Sequence, residues 1–332
     1  MPELPEVETI KRGLTKFIIK QKVKNIEVLC EKSFIGPKEE IKNLKIQNLR
    51  RFGKALVIDL EQDKSLMIHL RMTGQLIYDP KNKSAFQDSA TSVNGRFAAG
   101  HPSENFVAHL PNKQTRVVIE LENGTLFFND QRKFGFIKVL KTNDVENDEF
   151  IKKLAPEPWN MSPDEFYQKL QRHKNSCIKA VILDQSIICG LGNIYADESL
   201  FMSNIHPMRR AGNITKQEAG ILLNMADRVM NLSIASGGST MKDYVKADGT
   251  RGDYLDKFAQ VFNRTGQPCP VCGTKIEKIK VAGRGTHFCP KCQALHGRVT
   301  DLEGDPRRAS RGGGGKGLAG PVQRRRNYDQ DF

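Results

Sequence analysis

The feature that most constrains this chain is a set of four cysteines in two close pairs, Cys269-x2-Cys272-x16-Cys289-x2-Cys292. Each Cys-x-x-Cys turns two thiolates to one side, and two such knuckles complete a tetrahedral zinc site. Gly273 and the prolines at 270 and 290 suit tight knuckles. All four positions are thiolates, so no coordination position is left open for a catalytic water. The expected cofactor is therefore one structural Zn(2+), whose binding energy holds a ribbon too small to fold alone. A redox Cys-x-x-Cys and chance spacing are the competing readings. Seven cysteines in total, an odd number, argue against a disulfide framework and for a reducing compartment. Cys30, Cys177 and Cys189 read as small core residues.

Charge narrows the partners. The 332 residues carry 52 Lys and Arg against 38 Asp and Glu, a net charge of +14. Such a chain is poised for a polyanion, because phosphate contacts release condensed counterions and long-range attraction speeds encounter. A ribosomal or anionic-membrane partner also fits the charge. No run approaches the roughly 18 apolar residues of a membrane span. Two glutamates in the first six residues, with no apolar stretch, do not make a signal peptide. The expected location is cytoplasmic, associated with the nucleoid, and the expected state is a monomer.

Along the chain, Val7, Ile10, Leu14 and Phe17 recur at helical spacing and predict a helix over 3–17, with Pro2 and Pro5 where a first turn tolerates proline. Short β-rich runs follow at 23–29, 46–51, 55–61, 65–70, 75–78, 117–121, 125–130 and 135–140, separated by Gly53, Gly74 and Asn123-Gly124. They predict an antiparallel sandwich. Residues 80–105, rich in Ser, Asn, Gly and charge, read as a long exposed loop. Pro156 and Pro158 mark a boundary, after which the text turns helical. Thr215 and Glu218 form a capping box ahead of Leu222, Met225, Val229 and Leu232 on one face. From 294 the chain has Gly312 to Gly315, Arg324 to Arg326 and little apolar periodicity, which predicts a disordered basic tail able to bind nucleic acid electrostatically.

The opening Met1-Pro-Glu-Leu-Pro-Glu-Val-Glu-Thr9 carries the chemistry. Removal of Met1 would leave Pro2 as a secondary amine, and an α-amino group titrates near 8, so a useful fraction is nucleophilic at neutral pH. Such an amine can condense with a sugar C1′ to an iminium. Glu3 and Glu6, three apart, could supply a general acid and its support. The bland alternative is that first-turn acids only complement a helix dipole. Arg284, in Ala282-Gly-Arg-Gly-Thr286, is expected on a turn between the knuckles, either reaching a phosphate or simply facing solvent.

The opening segment resembles the start of the formamidopyrimidine-DNA glycosylases, in the Fpg/Nei family. The Cys-x2-Cys pairs ending at Gln293 resemble that family's zinc finger, and Gly190-Leu-Gly-Asn-Ile-Tyr-Ala-Asp-Glu-Ser-Leu200 its helix-two-turn-helix segment. His69-Leu-Arg-Met-Thr-Gly74 and Asp130-Gln-Arg-Lys-Phe-Gly135 match two more segments, all in the expected order. The resemblance implies Pro2 as Schiff-base nucleophile, Glu3 as general acid, Glu6 as support, and Lys54 as the hairpin lysine beside the lesion phosphate. It makes Arg284 part of the catalytic group and puts it, with His69, Lys179 and Asn193, on phosphates around the extruded nucleotide. Physically, Gly190 and Gly192 would let a turn approach the DNA backbone, with helix-start amides facing phosphate. A plain inter-helix turn is the alternative.

A flipped base leaves a hole to fill. The resemblance makes Met72, Arg132 and Phe134 the void-filling trio, whereas read without it Met72 and Phe134 are core residues beside strands. Two departures stand out: the 80–105 segment exceeds the family's usual loop, and the tail runs past the usual end. Residues 237–257 resemble the lesion-recognition loop.

The expected fold is α+β and multidomain: a β-sandwich with catalytic N-terminal helix over 1–140, a linker over 141–159, a helix-two-turn-helix domain over 160–256, a zinc ribbon over 257–293 and the tail over 294–332. The expected function is a bifunctional glycosylase and abasic-site lyase acting on oxidised purines in double-stranded DNA, with β,δ-elimination. Its rivals are the sister group directed at oxidised pyrimidines, a catalytically silent DNA binder, and a zinc-ribbon ribosomal or transcription factor.

Overall fold

The computed structural model describes residues 2–82, 96–99, 109–239 and 254–295. Most of the expected 80–105 loop, residues 240–253 of the resembling recognition loop and the tail from 296 lie outside the described residues.

The first helix, α1 (Leu4–Ile18), buries Leu4, Val7, Ile10, Leu14 and Ile18 along one stripe. Two five-stranded sheets follow. One has the order β1 (Val23–Val28), β8 (Thr115–Leu121), β9 (Gly124–Asp130), β6 (Gly74–Pro80), β7 (Phe97–Ala99). The other runs β2 (Phe34–Ile35), β10 (Phe136–Lys141), β5 (Lys64–His69), β4 (Ala55–Leu60), β3 (Ile46–Phe52). All pairings are antiparallel except β10 with β2. The core between the sheets is filled by Ile58, Leu66, Ile68, Leu76, Ile119 and Phe128, and by Val7, Ile10, Leu14 and Ile18 of α1.

Strand β4 reads as an unbroken apolar run because both its faces are covered. Leu56, Ile58 and Leu60 face the sandwich core. Ala55 and Val57 meet Val145 and Ile151 on the other side. The segment expected as a linker is thus itself packed, through a 3-10 turn over Thr142–Asn147 and a short helix, α2 (Glu149–Lys152).

Beyond it come α3 (Pro163–Arg172), α4 (Ile178–Ile182), α5 (Asn193–Met202), α6 (Lys216–Ala235) and α7 (Tyr254–Lys257). Their shared core includes Leu4, so α1 contributes to both lobes. The capping box forms, with Glu218 N donating to Thr215 Oγ1 at 3.2 Å and Thr215 N to Glu218 Oε2 at 2.8 Å. The buried stripe of α6 is shifted from the expected one. Ala219, Leu222, Leu223, Ala226, Val229, Met230 and Ser233 face inward, while Leu232 is exposed. Small residues in the stripe hide it from a search for large apolar side chains.

Three further expectations are corrected. Strand β7 lies inside the expected 80–105 loop, where Phe97 packs on Phe17 with ring centroids 5.5 Å apart. Three residues are too few to show a period. Of the cysteines read as core, Cys189 is buried, but Cys30 and Cys177 are half-buried. The ribbon is a hairpin, β11 (Glu277–Val281) with β12 (Arg284–Phe288), so Arg284 begins a strand rather than sitting on the turn. Among the described residues no helix is long and apolar enough to cross a membrane.

Candidate functional site

The start of α1 is inserted against the start of α5. Glu3 is the N-cap residue of α1, and its own N–H donates to Glu6 Oε2 at 2.8 Å. Its carboxylate meets the first turn of α5: Gly192 N donates to Oε2 at 2.8 Å and Ile194 N to Oε1 at 3.0 Å. These are the amides a helix leaves without internal partners, and they favour an anion. The two glycines read as room for DNA are room for this chain's own N-terminus. A Cβ at Gly192 would lie 2.2 Å from Glu3 Cδ. One at Gly190, where φ is +94°, would lie 2.3 Å from Leu4 Cδ1.

Pro2 and Glu3 are both buried. Burial raises the Glu3 pKa to about 6; Lys54 opposes the rise and the neighbouring Glu6 adds to it. Glu6 is a junction. Its Oε1 accepts from Tyr195 Oη at 2.5 Å and from Ser239 N at 2.9 Å. Tyr195 Oη in turn lies 2.5 Å from Ser233 Oγ.

Lys54 is buried on the turn between β3 and β4 and donates from Nζ to Leu191 O at 2.7 Å. Burial lowers its pKa, with the Glu3 charge opposing. The hairpin is fastened from behind by Arg51, which donates to Glu8 Oε2 at 2.9 Å and to both oxygens of Glu157. His69 is buried, and its pKa is lowered to about 3 by burial, Arg71 and Lys54. Its Nδ1 accepts from Arg71 N at 3.0 Å, which leaves the proton of the neutral ring on Nε2. It can therefore offer a ligand a hydrogen bond but no charge.

Met72 and Phe134 are not core. They are 38% and 55% exposed, and Arg132 is exposed as well. Two adjoining turns present them. Thr73 Oγ1 donates to Asp130 Oδ1 and accepts from Arg132 N at 3.0 Å, while Gly135 N donates to Asp130 Oδ2 at 2.7 Å. The Arg132 guanidinium sits 4.9 Å over the Phe134 ring.

Lys179, expected on a phosphate, faces the protein interior. Its ammonium is fully buried and donates to Asp197 Oδ1 at 2.6 Å, Thr286 Oγ1 at 2.7 Å and Gly285 O at 3.5 Å. Two of these are close hydrogen bonds and the third is long, so the ammonium is directed into the protein. Asn193 Nδ2 donates to Gly285 O at 2.9 Å, while its buried Oδ1 has no partner. Arg284 remains exposed at the head of β12.

The four ribbon sulfurs converge. Cys272 Sγ lies 3.5 Å from Cys289 Sγ, and Cys269 Sγ lies 3.9 Å from Cys292 Sγ. All four fall within 4.8 Å of one another. A tetrahedron with Zn–S bonds of about 2.3 Å has edges of about 3.8 Å, so the set fits zinc. These four residues hold the ion, which supplies cross-linking and no chemistry at Glu3.

Three family profiles match in sequence order: Formamidopyrimidine-DNA glycosylase N-terminal domain over residues 1–137, Formamidopyrimidine-DNA glycosylase H2TH domain over 154–245, and Zinc finger found in FPG and IleRS over 266–295. Formamidopyrimidine-DNA glycosylase of Ligilactobacillus salivarius is 37% identical over 302 residues, covering 89% of this chain and 99% of that one. The chain belongs to the formamidopyrimidine-DNA glycosylase family. The protein of that name from Pelotomaculum thermopropionicum is 38% identical, covering 89% of this chain and all of that one. The solved complex of a point mutant of Lactococcus lactis FPG with Fapy-dG containing DNA superposes with a TM-score of 0.76 at 32% identity, over 89% of this chain and 100% of that one. The complex of Lactococcus lactis Fpg with DNA containing an abasic site gives 0.76 at 31%.

Within this family frame, several buried residues do work that motif reading missed. Glu198 accepts from Gln260 N, Val261 N and Phe262 N at 2.7–3.0 Å, fastening the ribbon's approach to α5. Gln293 Nε2 donates to Ile205 O at 2.8 Å. Gln185 Nε2 donates to Leu191 O at 2.9 Å, and Gln185 Oε1 accepts from Gly190 N at 2.9 Å. Asp197 and Glu198 lie inside the motif, yet side-chain roles toward residues some 60–90 positions away leave no local signature.

Proposed function

We propose that the protein is a bifunctional DNA glycosylase and abasic-site lyase of base excision repair. Its substrates are oxidised purines, 8-oxoguanine and formamidopyrimidines, in double-stranded DNA lying across the basic face between the sandwich and the helices. The observation that carries this reading is Glu3, a buried carboxyl next to Pro2 whose pKa is raised to about 6. A group poised so close to neutral can both give and take a proton. The names of the relatives and the lesion-bearing DNA of the solved neighbours support the substrate class.

The steps follow from these atoms. With Met1 removed, the Pro2 nitrogen attacks C1′, the bond from C1′ to the damaged base breaks, and the base leaves with the electron pair and takes a proton. Glu3 donates its proton to O4′ as the sugar ring opens, which leaves an iminium. The Gly192 and Ile194 amides stabilise the carboxylate so formed. Loss of a C2′ proton expels the 3′ phosphate, and a second elimination expels the 5′ phosphate. Water then hydrolyses the imine and restores the amine. Lys54 and His69 offer N–H donors to the flanking phosphates, and Met72, Arg132 and Phe134 occupy the vacated stack.

Borohydride trapping on a duplex with 8-oxoguanine opposite cytosine tests this. A covalent adduct is expected from the wild type and not from Pro2→Gly. Activity confined to a thymine-glycol duplex would instead assign the sister specificity. Binding without an adduct or nick on either duplex would make the protein a silent binder.

A further inference from the structure

We propose that Thr286 is a positioning residue that sets where Arg284 meets a DNA phosphate. The inference rests on the functional reading above, with Arg284 as the phosphate contact that the resemblance implies.

Arg284 has an exposed side chain on a two-stranded hairpin, and a lone hairpin is a poor platform for a precise contact. The turn before it, Ala282-Gly283, has positive φ at both residues and is exposed, so it gives no support. Support comes from the other side. Thr286 is fully buried, and its hydroxyl donates to the Arg284 carbonyl at 3.2 Å. The same oxygen accepts from Lys179 Nζ at 2.7 Å, and Lys179 is held by Asp197 Oδ1 at 2.6 Å. The second Asp197 oxygen accepts from His287 N at 2.8 Å. Asn193 Nδ2 takes the intervening Gly285 carbonyl at 2.9 Å.

The backbone from 284 to 287 is therefore gripped by side chains of α4 and α5, and Thr286 is the only link in this set that reaches residue 284 itself. Because α5 also cradles Glu3, the relay ties the phosphate contact to the element that holds the general acid. Lys179, buried inside this relay, acts through it. The hydroxyl is required in both senses, as donor to one partner and acceptor from the other. Valine keeps the shape and does neither.

The experiment is a double-mutant cycle on the full-length, zinc-loaded protein, reading Kd for a duplex that carries an abasic-site analogue. Thr286→Val is expected to weaken binding about fivefold, the scale of one buried hydrogen bond, with zinc content unchanged. Thr286→Ser is expected to restore it. Arg284→Ala is expected to weaken binding about tenfold or more, and adding Thr286→Val to it should change nothing further. Additive losses in the double variant, wild-type affinity of Thr286→Val, or zinc loss in that variant would each overturn the proposal. Wild-type affinity of Arg284→Ala would overturn the phosphate assignment and this inference with it. A wild-type protein that ignores lesion duplexes altogether marks failure of the functional reading instead.

Discussion

Glu3 and Glu8 stand at the two ends of the first turns of one helix, both nearly inaccessible, and the protein treats them in opposite ways. Glu8 is claimed by cations: burial pushes its pKa up, but hydrogen bonds from Arg51, Lys11 and Arg12 outweigh that and bring it to about 2. Glu3 receives amide N–H groups instead, with Lys54 as a cationic neighbour bonded elsewhere, and burial leaves it at about 6. The first arrangement builds a clamp between α1 and β3; the second leaves a carboxyl with a raised pKa, the group proposed above as the proton donor. Glu3 is the more deeply desolvated of the two, and burial is the largest cause of its rise. The other difference is that guanidinium and ammonium groups bond the Glu8 carboxylate, whereas backbone amides bond that of Glu3.

The signs of their pH effects are also opposite. The ion pairs of Glu8 contribute stability above its ordinary value of 4.5, and that contribution is lost as pH falls toward 2. Glu3 has a raised value, so its neutral form favours the fold. Its contribution is present below 4.5 and is lost as pH rises through about 6.

The sharpest way to break the contrast is Glu3→Gln. It should reduce base excision by about 10²- to 10⁴-fold, the range of one general acid. It should also erase the fall in kcat/KM expected in the wild type as pH rises through about 6. An intact pH limb in Glu3→Gln would hand the proton to another group. Gly192→Ala probes the cradle rather than the acid. The added Cβ displaces the Glu3 carboxyl, and single-turnover rates should drop about 10²-fold, the scale of an ångström of misplacement. Zinc removal by chelation, or Cys289→Ser, should weaken binding of abasic-analogue duplex about 10- to 100-fold by releasing β12 from α5. Titration of the Glu8 clamp should stay unchanged, since none of its partners lies in the ribbon. Glu8→Gln has the smallest effect on chemistry: turnover within about twofold of wild type, and about 2 kcal/mol lost from stability in denaturant unfolding. A large loss of turnover there would erase the distinction between clamp and donor.

Much of the fold was legible because its signals are local. Helix α1, eight of the sandwich strands and the capping box of α6 rest on periods or turn residues within a few positions of one another. Strands β2 and β7 were missed because two or three residues cannot show a period. The stripe of α6 was misplaced because alanine and serine fill part of it. In the candidate site, the four cysteines could be named in advance because their chemistry and spacing are intrinsic, whereas the roles expected of Pro2 and Glu3 leaned on the resemblance. Met72 and Phe134 depended on which way a turn faces. The hydrogen bonds of Thr73 and Asp130 settle that by joining two turns 57 residues apart.

Residue type and short spacing alone determined the zinc ligand set and the order of the lobes. The family, and with it the expectation for Pro2 and Glu3, came from the resemblance of five short segments. Tertiary structure decided what the glycines at 190 and 192 accommodate, why Lys179 bonds inside the protein to Asp197 and Thr286, and which of two buried glutamates has its pKa raised to about 6 rather than lowered to about 2. Those outcomes depend on desolvation and on partners far away in the chain. Both are created only when α1, α5 and the ribbon meet.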